Sequence, residues 1–149
     1  MFYSTKTYDH NEGLSCCFRQ PKATHSHCSL LHGYALSFTF VFEAENLDDR
    51  NWVQDFGGLK TLRTWLHDMF DHTWAIDAND PKLQEVKEFV NSTGIANLVI
   101  LDDGVGCERF AKYAYDFANK LVQSESNYRV RCCSVEVKEH NGNSALYKV

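Results

Sequence analysis

The sequence predicts a single α+β domain over residues 1–149, in which two helices cover one face of a four-stranded antiparallel sheet. Three observations carry this prediction: apolar residues alternate at 34–45, and apolar residues recur at helical spacing at 56–70 and again at 104–123. Hydrophobic residues make up 44% of the chain, with only 2 Pro and 8 Gly, which is a globular composition at one-domain length.

The predicted strands are the segments in which apolar and polar residues alternate. In the run YALSFTFVFEAE three phenylalanines fall on one face of a strand. The segment at 128–140 alternates in the same way, the apolar run within 95–103 predicts a short strand, and residues 13–24 predict a further one. Long aromatic strands in so small a chain leave apolar surface uncovered, so we expect a symmetric homo-oligomer.

The predicted helices follow the 3.6-residue period. In the first, leucines recur through 56–70, and Asp55 precedes them as a possible N-cap. The second covers most of 104–123. Residues 71–81 are predicted to form a loop, and Pro81 is predicted to open a short additional helix.

Composition narrows the classes of function. The net charge of −5 and the lack of basic clusters argue against nucleic acid as a partner. No apolar run resembles a signal peptide or reaches the roughly 18 residues of a membrane span, so we expect no membrane partner and a cytoplasmic location. The six cysteines are expected to be reduced thiols, most of them buried.

The stretch ATHSHCSLLHGYAL concentrates residues that carry chemistry. His25, His27 and His32 could form a tripodal zinc site with an open fourth position, which is the arrangement of catalytic zinc. The alternative is a polar loop that is merely rich in histidine. Cys28 lies within the cluster, where a nearby cation would favour the reactive thiolate, although an isolated cysteine is more often a small buried residue.

Three further positions have a chemical and a structural interpretation. The Asp71–His72 pair could act as an acid or base oriented by a carboxylate, or be a histidine at a helix end. Glu139 could hold a guanidinium-like edge through two hydrogen bonds, or be a charged residue at a strand end. Glu108 suits the first turn of a helix.

Taken together, the motifs resemble the family of 6-pyruvoyl-tetrahydropterin and 6-carboxy-tetrahydropterin synthases. The resemblance spans about residues 22–147. The segments that carry it, in order, are ATHSHC, LHGYALSF, NWVQDFGGLK, FDH, GCERFA and VEVKEHNGNSALY.

The resemblance implies a T-fold subunit that assembles into a hexamer or another ring, with the active sites between subunits. It also implies that each site holds zinc through three histidines. It implies that Cys28 is the general base and that Asp71 and His72 act from the other side of a pterin substrate. It further implies that Glu139 grips the 2-amino and ring-nitrogen edge of the pterin, and it keeps Glu108 in register with the glutamate of the family's P-T-x-E helix start.

The sequence departs from the family pattern at Tyr34. The family's HGH motif is HGY here, and tyrosine is a poor zinc ligand because the pKa of its phenol is near ~10. His25 and His32 match the first and second family histidines, and His27 is predicted to replace the third from its proximity alone.

The expected function is that of a zinc-dependent lyase acting on 7,8-dihydroneopterin triphosphate. The product favoured is 6-carboxy-5,6,7,8-tetrahydropterin, on the route to deazapurines such as queuosine, because the short Cys28-x3-His32 spacing resembles that branch. The alternatives are 6-pyruvoyl-tetrahydropterin synthase activity, or a metal-free T-fold paralogue that binds a pterin or purine without turning it over.

Overall fold

A computed structural model describes all residues, 1–149. The sheet contains seven strands, whose bounds are β1 Phe2–Tyr8, β2 Leu14–Phe18, β3 His32–Ala44, β4 Thr73–Asp77, β5 Asn97–Leu101, β6 Arg131–His140 and β7 Asn143–Lys148. Three α-helices accompany them: α1 Lys60–Phe70, α2 Leu83–Thr93 and α3 Cys107–Glu125. The α+β class predicted from the sequence is confirmed.

The long strand β3 joins the two parts of the sheet. Its segment 38–44 pairs with β1 and its segment 37–43 with β6, and β7 lies outside β6, which gives an antiparallel set of four strands. Its first residues, 32–36, pair with β2, and β2 continues into β4 and β5 through parallel pairings. The predicted four-stranded antiparallel sheet is therefore part of a larger, mixed sheet.

Three strands lie outside the segments that the sequence predicted as strands. β4 falls in the predicted loop at 71–81, where it forms parallel ladders with β2 and β5. β1 and β7 each have one buried residue, Tyr8 and Ala145, because they are edge strands. Such strands carry little hydrophobic alternation, since only one neighbour and few core contacts specify them.

The remaining elements follow the prediction with shifted ends. The strand predicted at 13–24 ends at Phe18, and the helix predicted at 56–70 begins with a 3₁₀ turn, Phe56–Leu59, before α1. Asp55 caps that turn, since its side chain accepts a hydrogen bond from the amide of Gly57 at 2.9 Å. All six cysteines are free thiols, and four of them are buried.

The core lies between β3 and the helices α1 and α3. Phe38, Phe40 and Phe42 are fully buried, as expected for one face of an alternating strand. Phe70 of α1 lies 4.9 Å from Phe38 and 5.1 Å from Phe110 of α3, measured between ring centroids. These aromatic contacts hold β3, α1 and α3 against one another. The first residues of β3 and of α3 contribute to the candidate site.

Helix α3 begins in a backbone conformation that only glycine adopts readily. Gly106 has φ 112° and ψ 164°. A Cβ atom there would also lie 2.5 Å from the side-chain nitrogen of Gln20, which donates a hydrogen bond to the carbonyl oxygen of Val105 at 2.8 Å. The conformation at the beginning of α3 therefore depends on this glycine.

Candidate functional site

The loop that carries Cys28 is fixed to the end of β2. The amide of Gln20 donates to the carbonyl oxygen of Cys28 at 2.7 Å, and the hydroxyl of Ser26 accepts from the amide of Cys28 at 3.2 Å. Nη1 of Arg19 donates to the carbonyl oxygen of Ser29 at 3.2 Å. These contacts hold the backbone at Cys28 while its side chain remains exposed.

Arg19 is itself held by a buried carboxylate. Its Nε and Nη2 donate to the two oxygens of Asp80 at 2.9 and 2.6 Å, and the Asp80 side chain is only 1% exposed. Burial alone raises the pKa of Asp80, but the hydrogen bonds from Arg19 and from the amide of Lys82 outweigh it and leave that pKa below its usual value. The loop at Cys28 is thus tied to the turn before α2.

Tyr34 lies at the centre of a polar cluster at the beginning of β3. Its ring is 5.6 Å from that of His32 and 6.3 Å from that of His140, between centroids. Partial burial raises the pKa of Tyr34, and the nearby Glu139 and Cys28 raise it further. The carboxylate of Glu139 interacts with the phenol of Tyr34, and no cationic side chain of the protein is paired with it, so its charge remains available to a ligand.

Cys107 also belongs to this cluster, since it lies near Tyr34 and Glu139. Burial raises the pKa of its thiol to about 12, and the nearby carboxylates of Glu139 and Glu108 act in the same direction. Burial likewise raises the pKa of Cys16 to about 11 and that of Cys132 to about 12. These buried thiols stay protonated near neutral pH, and Cys28 is the one exposed thiol of the chain.

The three predicted zinc ligands do not converge. His25 and His27 are exposed on the loop, and Nδ1 of His32 lies 2.6 Å from the carbonyl oxygen of Leu30. No group of three His, Cys, Asp or Glu side chains lies close enough together to hold a metal ion. In this arrangement the side chains do not fit zinc, and the assignment of these ligands stays a prediction.

Asp71 and His72 form a hydrogen-bonded pair away from the Cys28 cluster. Nδ1 of His72 lies 2.5 Å from Oδ1 of Asp71, and the His72 side chain is 88% exposed. It borders a groove together with Cys17, Gly33 and Trp74.

This groove lies on the opposite face of the sheet from Tyr34. Tyr34 pairs with the buried Cys16, whereas Gly33 pairs with Cys17. Since side chains alternate along a strand, Cys17 and Tyr34 point to opposite faces. The structure therefore brings Cys28, Tyr34, Cys107 and Glu139 together, and it separates them from His72 within the subunit.

Several residues of the site escaped the sequence analysis. No local sequence pattern indicates the contacts of Arg19 with Asp80 or of Gln20 with Val105, because these partners are 61 and 85 positions apart. Cys107 directly precedes Glu108 in the segment GCERFA, and this adjacency is the signal that could have placed it at the site. His67, which bonds to Asp71 at 2.8 Å, lies four residues before it on the same helix face, and this spacing could have revealed the contact.

The arrangement of strands and helices described above is that of a T-fold. Residues 7–149 match the model of the family described as 6-pyruvoyl tetrahydropterin synthase. The chain belongs to this family, and the resemblance predicted from the sequence motifs is confirmed.

Individual relatives are more distant. A curated protein of Aquifex aeolicus named 6-carboxy-5,6,7,8-tetrahydropterin synthase is 28% identical over 96 residues, which are 64% of this chain and 59% of that protein. The match thus spans less than two thirds of the length of the curated relative.

Solved structures support the fold. The crystal structure of an uncharacterized protein from Wolinella succinogenes superposes with a TM-score of 0.80 at 17% identity, over 99% of this chain and 97% of that one. The 6-pyruvoyl tetrahydropterin synthase of Caenorhabditis elegans has a TM-score of 0.60 at 19% identity, over 99% and 94%. None of the three helices combines the length and the apolar character needed to cross a membrane.

The Arg19–Asp80 pair yields a prediction about stability. Asp80→Asn should lower the free energy of unfolding by about 2–3 kcal/mol at pH 7, because it leaves Arg19 without its charged partner. Asp49→Asn, an exposed carboxylate without hydrogen bonds, should change it by less than ~0.5 kcal/mol.

The pH dependence of this effect has a definite sign. Because the folded pKa of Asp80 is lowered, its contribution is present above the unfolded value near ~3.9 and is lost as the pH falls through the folded value. Urea titrations between pH 7 and pH 3 measure this. Equal stability of Asp80→Asn and wild type at pH 7 would contradict the anchoring role of the pair.

Proposed function

We propose that this protein is a lyase that acts on 7,8-dihydroneopterin triphosphate and forms 6-carboxy-5,6,7,8-tetrahydropterin. The family match over 7–149 and the name of the Aquifex aeolicus relative support the substrate class and the product. The observation that carries the proposal is the cluster at the beginning of β3, where an exposed thiol and a carboxylate lie beside Tyr34.

The proposed roles follow from the chemistry of these groups. The carboxylate of Glu139 accepts two N–H groups from the pterin edge, which fixes the heterocycle at the end of β6. The thiolate of Cys28 removes a proton from the side chain of the substrate, since it is the exposed thiol of the chain. His72, oriented by Asp71, exchanges a proton on the opposite side of the substrate, and Glu108 lies at the beginning of α3 beside the pterin subsite.

Zinc remains a proposal for this chain. His25, His27 and His32 offer the imidazole nitrogens that zinc prefers, but they would first have to be drawn together. The proton transfers proposed above therefore use only Cys28 and His72.

The proposed reaction also requires a second copy of the chain. Because His72 and Tyr34 point to opposite faces of the sheet, His72 of one subunit cannot reach a substrate bound beside Tyr34 of the same subunit. We propose that the groove at His72 faces the Cys28 cluster of a neighbouring subunit in a homo-oligomer.

Incubation with 7,8-dihydroneopterin triphosphate and product identification by mass spectrometry test the reaction. Cys28→Ala should lower kcat by about 10²–10⁴-fold, because the general base is removed. Glu139→Gln should chiefly raise KM, because one charged acceptor is lost. Cys133→Ala and Glu136→Gln, the same two substitutions at residues of β6 outside the proposed site, should retain wild-type rates. An unchanged rate in Cys28→Ala would remove the proposed base, and 6-pyruvoyl-tetrahydropterin as the product would reassign the branch.

Mixed oligomers test the shared site. Cys28→Ala and His72→Ala subunits should each be inactive alone, and unfolding and refolding them together should restore part of the activity, because some sites then combine one intact thiol with one intact histidine. Refolding each variant alone is the control. Mixed oligomers as inactive as the separate variants would argue against a site between subunits.

A second function is favoured by the arrangement of the histidines. Since His25, His27 and His32 do not converge and Tyr34 replaces a family ligand, the protein could bind a pterin or purine through Glu139 without turning it over. Metal analysis of purified protein separates the two candidates. About one zinc per chain that is lost in His32→Ala supports the zinc lyase. Metal-free protein that binds pterin but yields no product supports the binding protein.

A further inference from the structure

His67 is held between two carboxylates at the end of α1. Its Nδ1 lies 2.8 Å from Oδ2 of Asp71, and its Nε2 lies 2.8 Å from Oε1 of Glu12, in the turn between β1 and β2. A neutral imidazole carries a single N–H, so a ring that donates to carboxylates from both nitrogens is an imidazolium. The hydrogen bonds from His67 to Glu12 and to Asp71 raise the pKa of His67, in agreement with this geometry.

Asp71 connects this imidazolium to His72. Oδ2 of Asp71 accepts from His67, and Oδ1 faces Nδ1 of His72 at 2.5 Å. The pKa of Asp71 is lowered, first by the hydrogen bond to His67 and then by that to His72. The contacts leave Nε2 of His72, on an 88% exposed side chain, free to meet a substrate.

The backbone reinforces this arrangement. Asp71 is the C-cap of α1, and His72 follows it with φ 54°, in the left-handed region that side chains other than glycine seldom adopt. A conformation of this kind persists where its surroundings determine it. Here the surroundings include the contacts of Asp71, since they fix the residue that directly precedes His72.

The remaining charged and titratable neighbours of this network are Arg63 and Tyr8, which both lie near Glu12. Nε of Arg63 donates to the same oxygen of Glu12 at 2.5 Å, so Glu12 meets two cations. Burial raises the pKa of Tyr8, on β1, to about 12, and the charge of Glu12 adds to this, so the phenol is neutral. His67 is therefore the cation that directly offsets the charge of Asp71 on the side away from His72.

We propose that His67, held by Glu12, is a positioning residue for the Asp71–His72 pair. It orients Asp71 so that the second oxygen receives Nδ1–H of His72. The inference rests on the proposed function in one respect, because the pair needs orienting for catalysis only if it exchanges protons with substrate. The network itself makes no such assumption.

The experiment compares full-length wild type with His67→Gln, Glu12→Gln and the control Asp68→Asn. Asp68 is an exposed carboxylate beside His67 that makes no hydrogen bond or ion pair. NMR of the imidazole nitrogens at a fixed pH requires no substrate. In His67→Gln the ¹⁵N resonance of Nδ1 of His72 should move, because Asp71 loses the contact that fixes its orientation towards that nitrogen. Glu12→Gln should also move it, because it removes the second partner of His67, and Asp68→Asn should leave it in place.

Kinetics supply the second readout. With 7,8-dihydroneopterin triphosphate, kcat of His67→Gln should fall roughly 10- to 100-fold, as for other residues that orient a functional histidine, with little change in KM. A merely structural loss would lower the amount of folded protein without changing kcat per folded active site or the His72 resonance.

The outcomes separate the two proposals. If wild type forms no product while the His72 resonance still moves in His67→Gln, the proposed reaction is wrong and the network is upheld. If wild type is active and both variants keep its kcat and its His72 resonance, the positioning role is overturned. Should His67→Gln fail to fold, Glu12→Gln alone decides the question, because it changes the partner of His67 and leaves the pair itself intact.

Discussion

The pairing of strand β3 along both of its edges is the constraint on which the rest of the structure depends. Its segment 37–44 lies between β1 and β6, and the three buried phenylalanines of this segment face the helices. Truncating a buried phenylalanine of this kind typically costs about 3–5 kcal/mol. The first residues of the same strand, 32–36, pair with β2 and place Tyr34 at the edge of the core, where it remains partly exposed. The packing of the core therefore determines the position of the candidate site, because β3 is part of both.

Burial also decides which groups of the site can ionise. Cys107 is held as a thiol by its surroundings, whereas Cys28 lies exposed on a loop whose backbone is fixed through Gln20 and Arg19. The two carboxylates differ in a similar way. Asp80 is buried and paired with the guanidinium of Arg19, which holds the loop, whereas Glu139 is not paired with a cationic side chain. A charged group that is fully paired stabilises the fold, and one that lacks a partner within the chain is available to a ligand.

The parts of the fold that were predictable are those in which burial imposes a period. β3, β6, α1 and α3 each present a continuous apolar face, and their sequences record it. β1 and β7 have one buried residue each, so backbone pairing to a neighbour specifies them more than their side chains do. β4 is short and is set by parallel ladders to β2 and β5, which are distant in sequence. Nothing in the local pattern of residues 73–77 could reveal those partners.

The candidate site likewise contains residues that local sequence motifs reveal and contacts that only the tertiary structure reveals. Motifs led to Cys28, Asp71, His72 and Glu139 because each lies in a short segment that resembles a family pattern. The supporting contacts, Arg19 to Asp80 and Glu12 to His67, join residues 61 and 55 positions apart and depend on tertiary packing. Sequence could suggest three zinc ligands by proximity, but convergence depends on the loop backbone between β2 and β3, which turns His25 and His27 towards solvent.

The two faces of the sheet connect the chemistry to assembly. A residue beside Tyr34 and one in the groove at His72 are separated by the sheet itself, so side-chain motion cannot bring them to one substrate. A reaction that uses both groups needs a second subunit, which would make oligomerisation a condition for catalysis as well as a means of burying surface. The chain also has apolar surface to bury in an assembly, since Phe2, Tyr3, Trp52 and Phe56 border a separate depression and are each more than 40% exposed. Loss of the contact between the groove at His72 and the Cys28 cluster would then abolish the proposed reaction while the fold of each chain, built around β3, is retained.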